Sequence, residues 1–307
     1  MAKLPQNCPK NYKSMNWNIF KDENKLEKIK KRLKKLPWNV DVNIVIELLK
    51  PCISIKTKIP FEKISIGKSK FGGLPDLPTE TIWPNLNGFP FAFIAQINLE
   101  EIKFDTENKL PKKGILYFFF STNQTDYQYE SFEKIHKVLY FDNKTNNLKT
   151  SEYPKKYNEL AKFKECSVEF YEHYSLPSYQ NYQIIENGFT DEDENLLFEA
   201  NEIICEITTA NQDIGHQSLG SANAVQGDVS CYWANQESSI QNEKIENKKL
   251  EFQKNEKDII LLLQIDMLDE NPEFNKFGAS GGIYFGIRKQ DLENQNFEKT
   301  KFTIQNS

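Results

Sequence analysis

The sequence predicts an α+β fold, with a duplicated, mainly antiparallel β-sheet core in pseudo-twofold halves and an N-terminal helical segment. Three observations predict it. The first is an internal echo. Residues 91–119 fall on residues 259–287 without gaps at an offset of 168 residues (96 to 264, 114 to 282), so that Gln96-Ile97-Asn98 meets Gln264-Ile265-Asp266 and Gly114-Ile115 meets Gly282-Ile283. A repeat of this length implies two similar halves. The second is the aromatic content, 22 Phe and 13 Tyr, gathered in runs such as Phe118-Phe119-Phe120 that suit pleated, half-buried surfaces. The third is the concentration of helix signals ahead of residue 51, where capping residues and prolines bracket two periodic stretches.

In chain order, the first helix runs over residues 22–36, with Asp22 as its cap and Pro37 as its stop. Residues 21–35 hold eight Lys/Arg against three acids, and Leu26, Ile29, Leu33 and Leu36 fall near helical spacing. That pattern fits a basic amphipathic surface for a membrane or anionic partner, and equally a surface helix packed on the body by its apolar stripe. Asp41 caps a second helix over residues 42–50, closed by Pro51. Residues 53–66 alternate as one or two strands, and residues 67–90 form a long loop dense in Gly, Pro and Trp. Within that loop, Phe71-Gly72-Gly73-Leu74-Pro75 and Trp83-Pro84 specify a fixed backbone path.

Residues 91–99 are the first repeated strand, with Ala92, Ile94, Gln96 and Asn98 on one face. Ile260, Leu262, Gln264 and Asp266 repeat that face in the second copy. Both faces are apolar until the Gln, as in a central strand whose polar end lies near a surface or cleft. Residues 115–120 and 283–287 return, each launched from a Gly, and residues 138–141 and 302–304 close the two halves. Residues 143–165 are the passage between halves, and residues 237–258 form a charged surface excursion. Residues 1–58 are then the helical segment packed on the body, and 59–307 the duplicated domain, with halves near 59–150 and 200–307.

Composition narrows the functional class. The chain is 38% hydrophobic and 27% charged, as expected of a soluble globular protein. Its formal net charge of −5 argues against a nucleic-acid partner. Cys8, Cys52, Cys166, Cys205 and Cys231 are scattered without a Cys-x-x-Cys pair, so neither a zinc ribbon nor a redox motif is expected. Free thiols, a start without an apolar signal region and no run near the length of a spanning helix place the protein in the cytoplasm, off the membrane. No metal and no cofactor is expected.

The candidate chemistry lies in residues 215–228. Gly215-His216-Gln217-Ser218-Leu219-Gly220-Ser221 and Gln226-Gly227-Asp228 gather an imidazole, amides, hydroxyls and a carboxylate in a Gly-punctuated loop. Such a loop can hold a polar ligand, bond itself to the sheet, offer His216 and Asp228 to a metal, or serve a hydrolase with Cys231 as nucleophile, His216 as base and Asp228 as orienter. His136 and His173 stand among alternating aromatics as surface or half-buried strand residues. Gln96 and Gln264 either satisfy each other across the pseudo-twofold axis or line a cleft together. Residues 278–282, Gly-Ala-Ser-Gly-Gly, lack the Lys-Ser/Thr of a nucleotide loop and lead into a strand, which excludes a phosphate loop.

These motifs resemble the YwqG-like family, a bacterial group of unknown function. The resemblance rests on Phe71-Gly72-Gly73-Leu74-Pro75 with Trp83-Pro84, on Phe93-Ile94-Ala95-Gln96-Ile97-Asn98-Leu99, on His216-Gln217 to Gln226-Gly227-Asp228, and on Leu263-Gln264-Ile265-Asp266 with Gly281-Gly282-Ile283-Tyr284-Phe285. It covers about residues 60–305. The chain departs from the pattern at Phe277-Gly278-Ala279-Ser280, where a Trp-Gly-Asp-like entry is expected. The resemblance implies a duplicated, mainly antiparallel α+β core and transfers no catalytic residue. It also implies an intracellular binding or immunity-type role, with a toxin-like protein partner or a small polar ligand. The expected cleft between the halves is lined by Lys70, Asp76, Trp83, His216, Gln217, Ser221, Gln226 and Asp228, with Gln96 and Gln264 beneath. Its alternative is a hydrolase-like enzyme using His216.

Overall fold

A computed structural model describes residues 24–104, 107, 109–142, 147–209, 215–237, 257–277 and 281–306. It opens with α1 (Lys25–Leu33) and α2 (Val42–Leu48). Asn24 caps α1, accepting from the Leu26 amide, while the expected cap Asp22 lies outside the described residues. Asp41 caps α2 as its sequence demands. Ile29 and Leu33 are fully buried, so the apolar stripe of the basic helix faces the body.

The strands are β1 (Lys50–Lys58), β2 (Lys70–Phe71), β3 (Asp76–Pro78), β4 (Asn85–Leu86), β5 (Phe89–Pro90), β6 (Ala92–Asn98), β7 (Ile115–Phe120), β8 (His136–Phe141), β9 (Leu148–Thr150), β10 (Cys166–Ser175), β11 (His216–Leu219), β12 (Ile259–Asp266), β13 (Gly281–Arg288) and β14 (Lys301–Asn306). Further helices are α3 (Gln124–Tyr129), α4 (Tyr182–Glu186), α5 (Asp191–Thr209), α6 (Val229–Glu237) and α7 (Lys289–Glu293). Ten strands form one sheet in the order β14-β13-β12-β11-β1-β10-β2-β6-β7-β8, and every pair in it is antiparallel. The protein is therefore α+β, with one large antiparallel sheet and several helices.

Two features depart from the sequence reading. Residues 50–58 are not part of a helical preface: β1 is a central strand, paired with β10 along its whole length and with β11 from Cys52. Pro51 is tolerated there because β11 pairs only from Cys52 onward, so the missing amide costs no ladder bond. The loop of residues 67–90 carries the short strands β2 to β5, and the passage of residues 143–165 leads into β10 at the middle of the sheet. Residues 143–146 and most of 237–258 lie outside the described residues.

Register fixes which side chains share a face. Lys70, Gln96 and Tyr117 are directly opposed across β2, β6 and β7, as are Phe71, Ala95 and Phe118 on the other face. The second set points into the main core. Phe118 of β7 lies 5.1 Å from Phe285 of β13, and Phe71 lies 5.0 Å from His216 of β11 (ring centroids). In a flat sheet β7 and β13 would stand roughly 34 Å apart at about 4.8 Å per strand. The sheet must therefore curl onto itself, with this face inside.

His136 completes the curl. Its Nδ1 lies 2.7 Å from the Phe132 carbonyl, and its Nε2 lies 2.9 Å from the Thr300 carbonyl and 3.0 Å from the Thr300 hydroxyl. The ring stacks on Phe302 at 5.2 Å. One residue thus joins β8, at one end of the strand order, to the entry of β14 at the other. A sheet that brings its edges together hides the unpaired groups that would otherwise invite association.

The outer face is covered in three places. Leu77, Trp83 and Leu148 pack on Phe93, Tyr117 and Phe119. Helix α5, backed by α1 and α2, buries Leu197, Ala200 and Ile204 with Tyr174 and Leu176. Trp233 of α6 packs with Leu261 and Tyr284 and lies so close to Gly286 that a Cβ there would meet its ring at 2.4 Å.

Candidate functional site

The residues singled out in the sequence fall into three polar clusters on two faces of the sheet. The first lies on the outer face at β2. Lys70 is 2% exposed and pairs with Asp76 Oδ2 at 3.2 Å and Glu165 Oε2 at 3.1 Å. Asp76 also accepts from the Thr150 hydroxyl (2.7 Å), the Gly67 amide (3.0 Å) and Gln96 Nε2 (3.1 Å). Burial alone would raise the Asp76 pKa; these donors and the Lys70 ammonium outweigh it and hold the carboxyl below its ordinary value. Gln96 completes the clasp: its Oε1 accepts from the Asp76 amide (2.7 Å) and its Nε2 also donates to the Lys68 carbonyl (2.8 Å). Trp83 donates to the Phe91 carbonyl (2.9 Å) and packs between Phe119 and Tyr157. Every one of these groups is engaged in fixing the loop.

The second cluster surrounds His216 and points inward. The Asp266 backbone amide donates to Nδ1 at 2.9 Å, so Nδ1 carries the lone pair and Nε2 the proton. Nε2–H donates to Asp269 Oδ2 at 2.8 Å. Asp269 also accepts from the Thr57 hydroxyl and the Asn271 amide. Its burial would raise the carboxyl pKa, but His216 and these donors lower it overall. Both ring nitrogens are spent and the residue is 3% exposed. Asp228, the expected orienter, instead caps α6, accepting from the amides of Ser230 (2.8 Å) and Cys231 (3.2 Å) and from Asn181 Nδ2 (2.8 Å). The Cys231–His216–Asp228 arrangement is not assembled. Among the described residues no three His, Cys, Asp or Glu side chains gather as a metal site.

The third cluster is on the outer face at β11. Gln264 Oε1 accepts from the Asn223 amide (2.8 Å) and its Nε2 donates to the Gly215 carbonyl (3.0 Å). Gln96 and Gln264 therefore do not satisfy each other; each clasps the loop beside its own strand. Gln226 is exposed, with its amide bonded to Gln305 Oε1 at 3.0 Å. A single cleft lined by all ten residues is not formed, because Lys70 and Gln217 leave the sheet on the face opposite His216.

Beside Gln217 a cavity of about 410 Å³ opens between α5 and residues 221–227. His173, Ser175 and Gln217 form its floor, Glu194, Phe198 and Asn201 line it from α5, and Ser221 and Asn223 line it from the loop. Gln217 Nε2 donates to the Ser221 carbonyl (2.5 Å), while its Oε1 has no partner among the described residues. Thr208 donates its single hydroxyl proton to the Ile204 carbonyl (2.7 Å), so the 2.6 Å contact between Thr208 Oγ1 and His173 must run from Nδ1–H. That leaves His173 Nε2 as a lone pair, also without a partner among the described residues. Burial, aided by the Lys25 ammonium, pushes the His173 pKa down to about 4, so the ring is neutral at pH 7. Both residues are 8% exposed, and His136 is 4% exposed, so neither His136 nor His173 is the surface or half-buried residue its strand pattern suggested.

The cavity lining includes Gln217 and Ser221, which the sequence singled out, and His173, Ser175, Glu194 and Asn201, which it did not. Their signals were present: polar–aromatic alternation over β10, and Leu197, Ala200 and Ile204 at helical spacing over α5.

An antiparallel α+β domain with a polar outer groove is the class these features define. Residues 69–305 match the family described as "Domain of unknown function (DUF1963)", and the chain belongs to that family. No curated protein matches it.

Proposed function

We propose that this is a non-enzymatic binding protein whose ligand enters the groove between α5 and residues 221–227. The observation that carries the reading is the pair of unused acceptors on its floor. Gln217 Oε1 and His173 Nε2 both open, without a partner among the described residues, onto one cavity of ligand size. His216, the residue on which the hydrolase alternative depends, has no free nitrogen to act as a base.

The duplication belongs to the same proposal, together with YwqG-like membership and a cytoplasmic location. Strand order supports it: β2-β6-β7-β8 runs outward from β10 as β11-β12-β13-β14 runs outward from β1. Hydrogen bonds support it residue by residue. Gln96 accepts from the Asp76 amide while Tyr117 donates to the Asp76 carbonyl; Gln264 accepts from the Asn223 amide while Tyr284 donates to the Asn223 carbonyl. The Asn98 amide donates to Ser69 Oγ, and the Asp266 amide to His216 Nδ1. Gly72 and Gly73, at φ 64° and 66°, answer to Leu219 and Gly220, at 64° and 70°. Under this correspondence Lys70 and Asp76 match Gln217 and Asn223. The first half closes its outer face with a buried ion cluster, and the second substitutes neutral amides beside an opening.

A protein partner is the second reading, favoured by α5, which carries seven acids and no base. The test is protein-detected NMR with a panel of small polar compounds. Wild type is expected to show shifts confined to His173, Gln217, Ser221 and their neighbours. Asn201→Trp, at an exposed position on the groove wall, is expected to abolish them without unfolding the chain. A panel and a native-cell extract that both leave these signals unmoved would sink the binding reading.

A further inference from the structure

Resting on the binding reading, the geometry points to the class of ligand: we infer that the groove takes a small organic cation with N–H donors, a primary ammonium on an apolar stem. The argument is one of hydrogen-bond sign. The tautomer of His173 is fixed by Thr208, whose only proton goes to Ile204, so Nε2 can accept and cannot donate. Gln217 has committed its amide nitrogen to the Ser221 carbonyl and turns an unpartnered oxygen to the cavity. The Ser175 hydroxyl oxygen accepts from the Ser221 amide. His173 and Gln217 thus turn acceptors to the cavity and ask for donors.

Charge agrees with hydrogen bonding. Among the described residues, Glu194 is the one carboxylate lining the cavity, and no Lys or Arg lines it. Glu194 has no ion pair among the described residues. An anionic ligand would meet Glu194 and two lone pairs, while the Lys25 ammonium that acts on His173 is not among the residues lining the cavity. An ammonium would satisfy His173 and Gln217 and complement Glu194, in hydrogen bonds strengthened by charge. Leu197, Phe198, Ala222 and Ala224 supply apolar surface for the stem. The volume of about 410 Å³ lies within the range of small-molecule sites.

The first half offers an internal parallel. On the same face, beside the corresponding strand, Lys70 places an ammonium on acceptors that include Asp76 and Glu165. The second half has Gln217 at that register, and among the described residues no ammonium of its own lines the cavity there.

The test is an NMR titration of the whole chain with n-butylammonium, tetramethylammonium and n-butyrate. The first two share a charge, and only the first carries N–H donors. Saturable shifts around the groove with n-butylammonium, absent with the other two, are expected. Gln217→Leu should weaken binding about tenfold or more, the loss of one charge-assisted hydrogen bond. Glu194→Gln, on the groove wall, should weaken it too and guards against a folding defect in the floor variant. Glu199→Gln, an exposed acid on α5 outside the cavity lining, should leave it unchanged. Equal binding of tetramethylammonium overturns the N–H donor requirement and equal binding of n-butyrate overturns the cation assignment, each leaving the groove a binding site. If n-butylammonium and the wider polar panel all leave the groove unmoved, both readings fall. A doubly capped lysine tripeptide binding more tightly than n-butylammonium would overturn the small-molecule source in favour of a protein side chain.

Discussion

Removing the Lys70 ammonium should be among the most damaging single changes in the chain. Lys70 and Asp76 are 2% and 1% exposed, and their contact of 3.2 Å is backed by Glu165 at 3.1 Å. Breaking a buried pair from one side costs about 3–5 kcal/mol, because the remaining charge stays buried without its partner. Asp76 keeps three other donors, Thr150, Gly67 and Gln96, so Lys70→Met should fall near the lower end, about 3 kcal/mol. The pair Lys70→Gln with Asp76→Asn copies the chemistry at Gln217 and Asn223. It should cost less than the two single changes summed, by about 1–2 kcal/mol of coupling.

Urea unfolding followed by circular dichroism measures the wild type, Lys70→Met, the double variant and its two single changes. The pH dependence has a definite sign. Asp76 titrates below its unfolded value of 3.8, so its contribution is present above that pH and fades as pH falls through the folded pKa. The Lys70→Met deficit should therefore be full at pH 7 and shrink on acidification. A deficit under 1 kcal/mol at pH 7, or strict additivity in the double variant, would refute the view that this cluster holds the loop.

Two further outcomes follow from buried groups elsewhere. The His136 pKa, pushed down to about 4 chiefly by burial, lies below its unfolded value of 6.5; the difference corresponds to roughly 3 kcal/mol that is present above pH 6.5 and lost as pH falls toward 4. His136→Gln should flatten that part of the urea-midpoint profile, and an unchanged profile would count against it. Gly72→Ala should destabilise by more than 1 kcal/mol in the same assay, since Gly72 sits at φ +64° and a Cβ there would stand 2.1 Å from the Lys164 carbonyl oxygen; a neutral result would mean that this backbone can move.

The repeated strands were legible because burial leaves a periodic trace. β6 and β12 are buried along almost their whole lengths, and apolar side chains on both faces announce a central strand. The cap at Asp41 is likewise local, decided by an oxygen within two residues of an amide, whereas the first helix is capped by Asn24, which the sequence reading passed over for Asp22. The central pair β1–β10 was less legible: β1 follows a helix and carries a proline at its second residue, and its pairing with β10 spans more than a hundred residues.

The sequence by itself determined the class of fold, the two Gln-bearing strands and the loops that deserve study, because hydrophobic period, turn residues and capping oxygens act over a few residues. Only the tertiary structure decided what those residues do. Strand alternation sends Lys70 and Gln217 to the face opposite His216, and the curl of the sheet buries His216 with both nitrogens occupied. Docking of α5 over β10 turns Gln217 and His173, forty-four positions apart in the chain, into the floor of one groove. Direction and proximity of side chains are set by long-range pairing and packing, which no local pattern in the chain records.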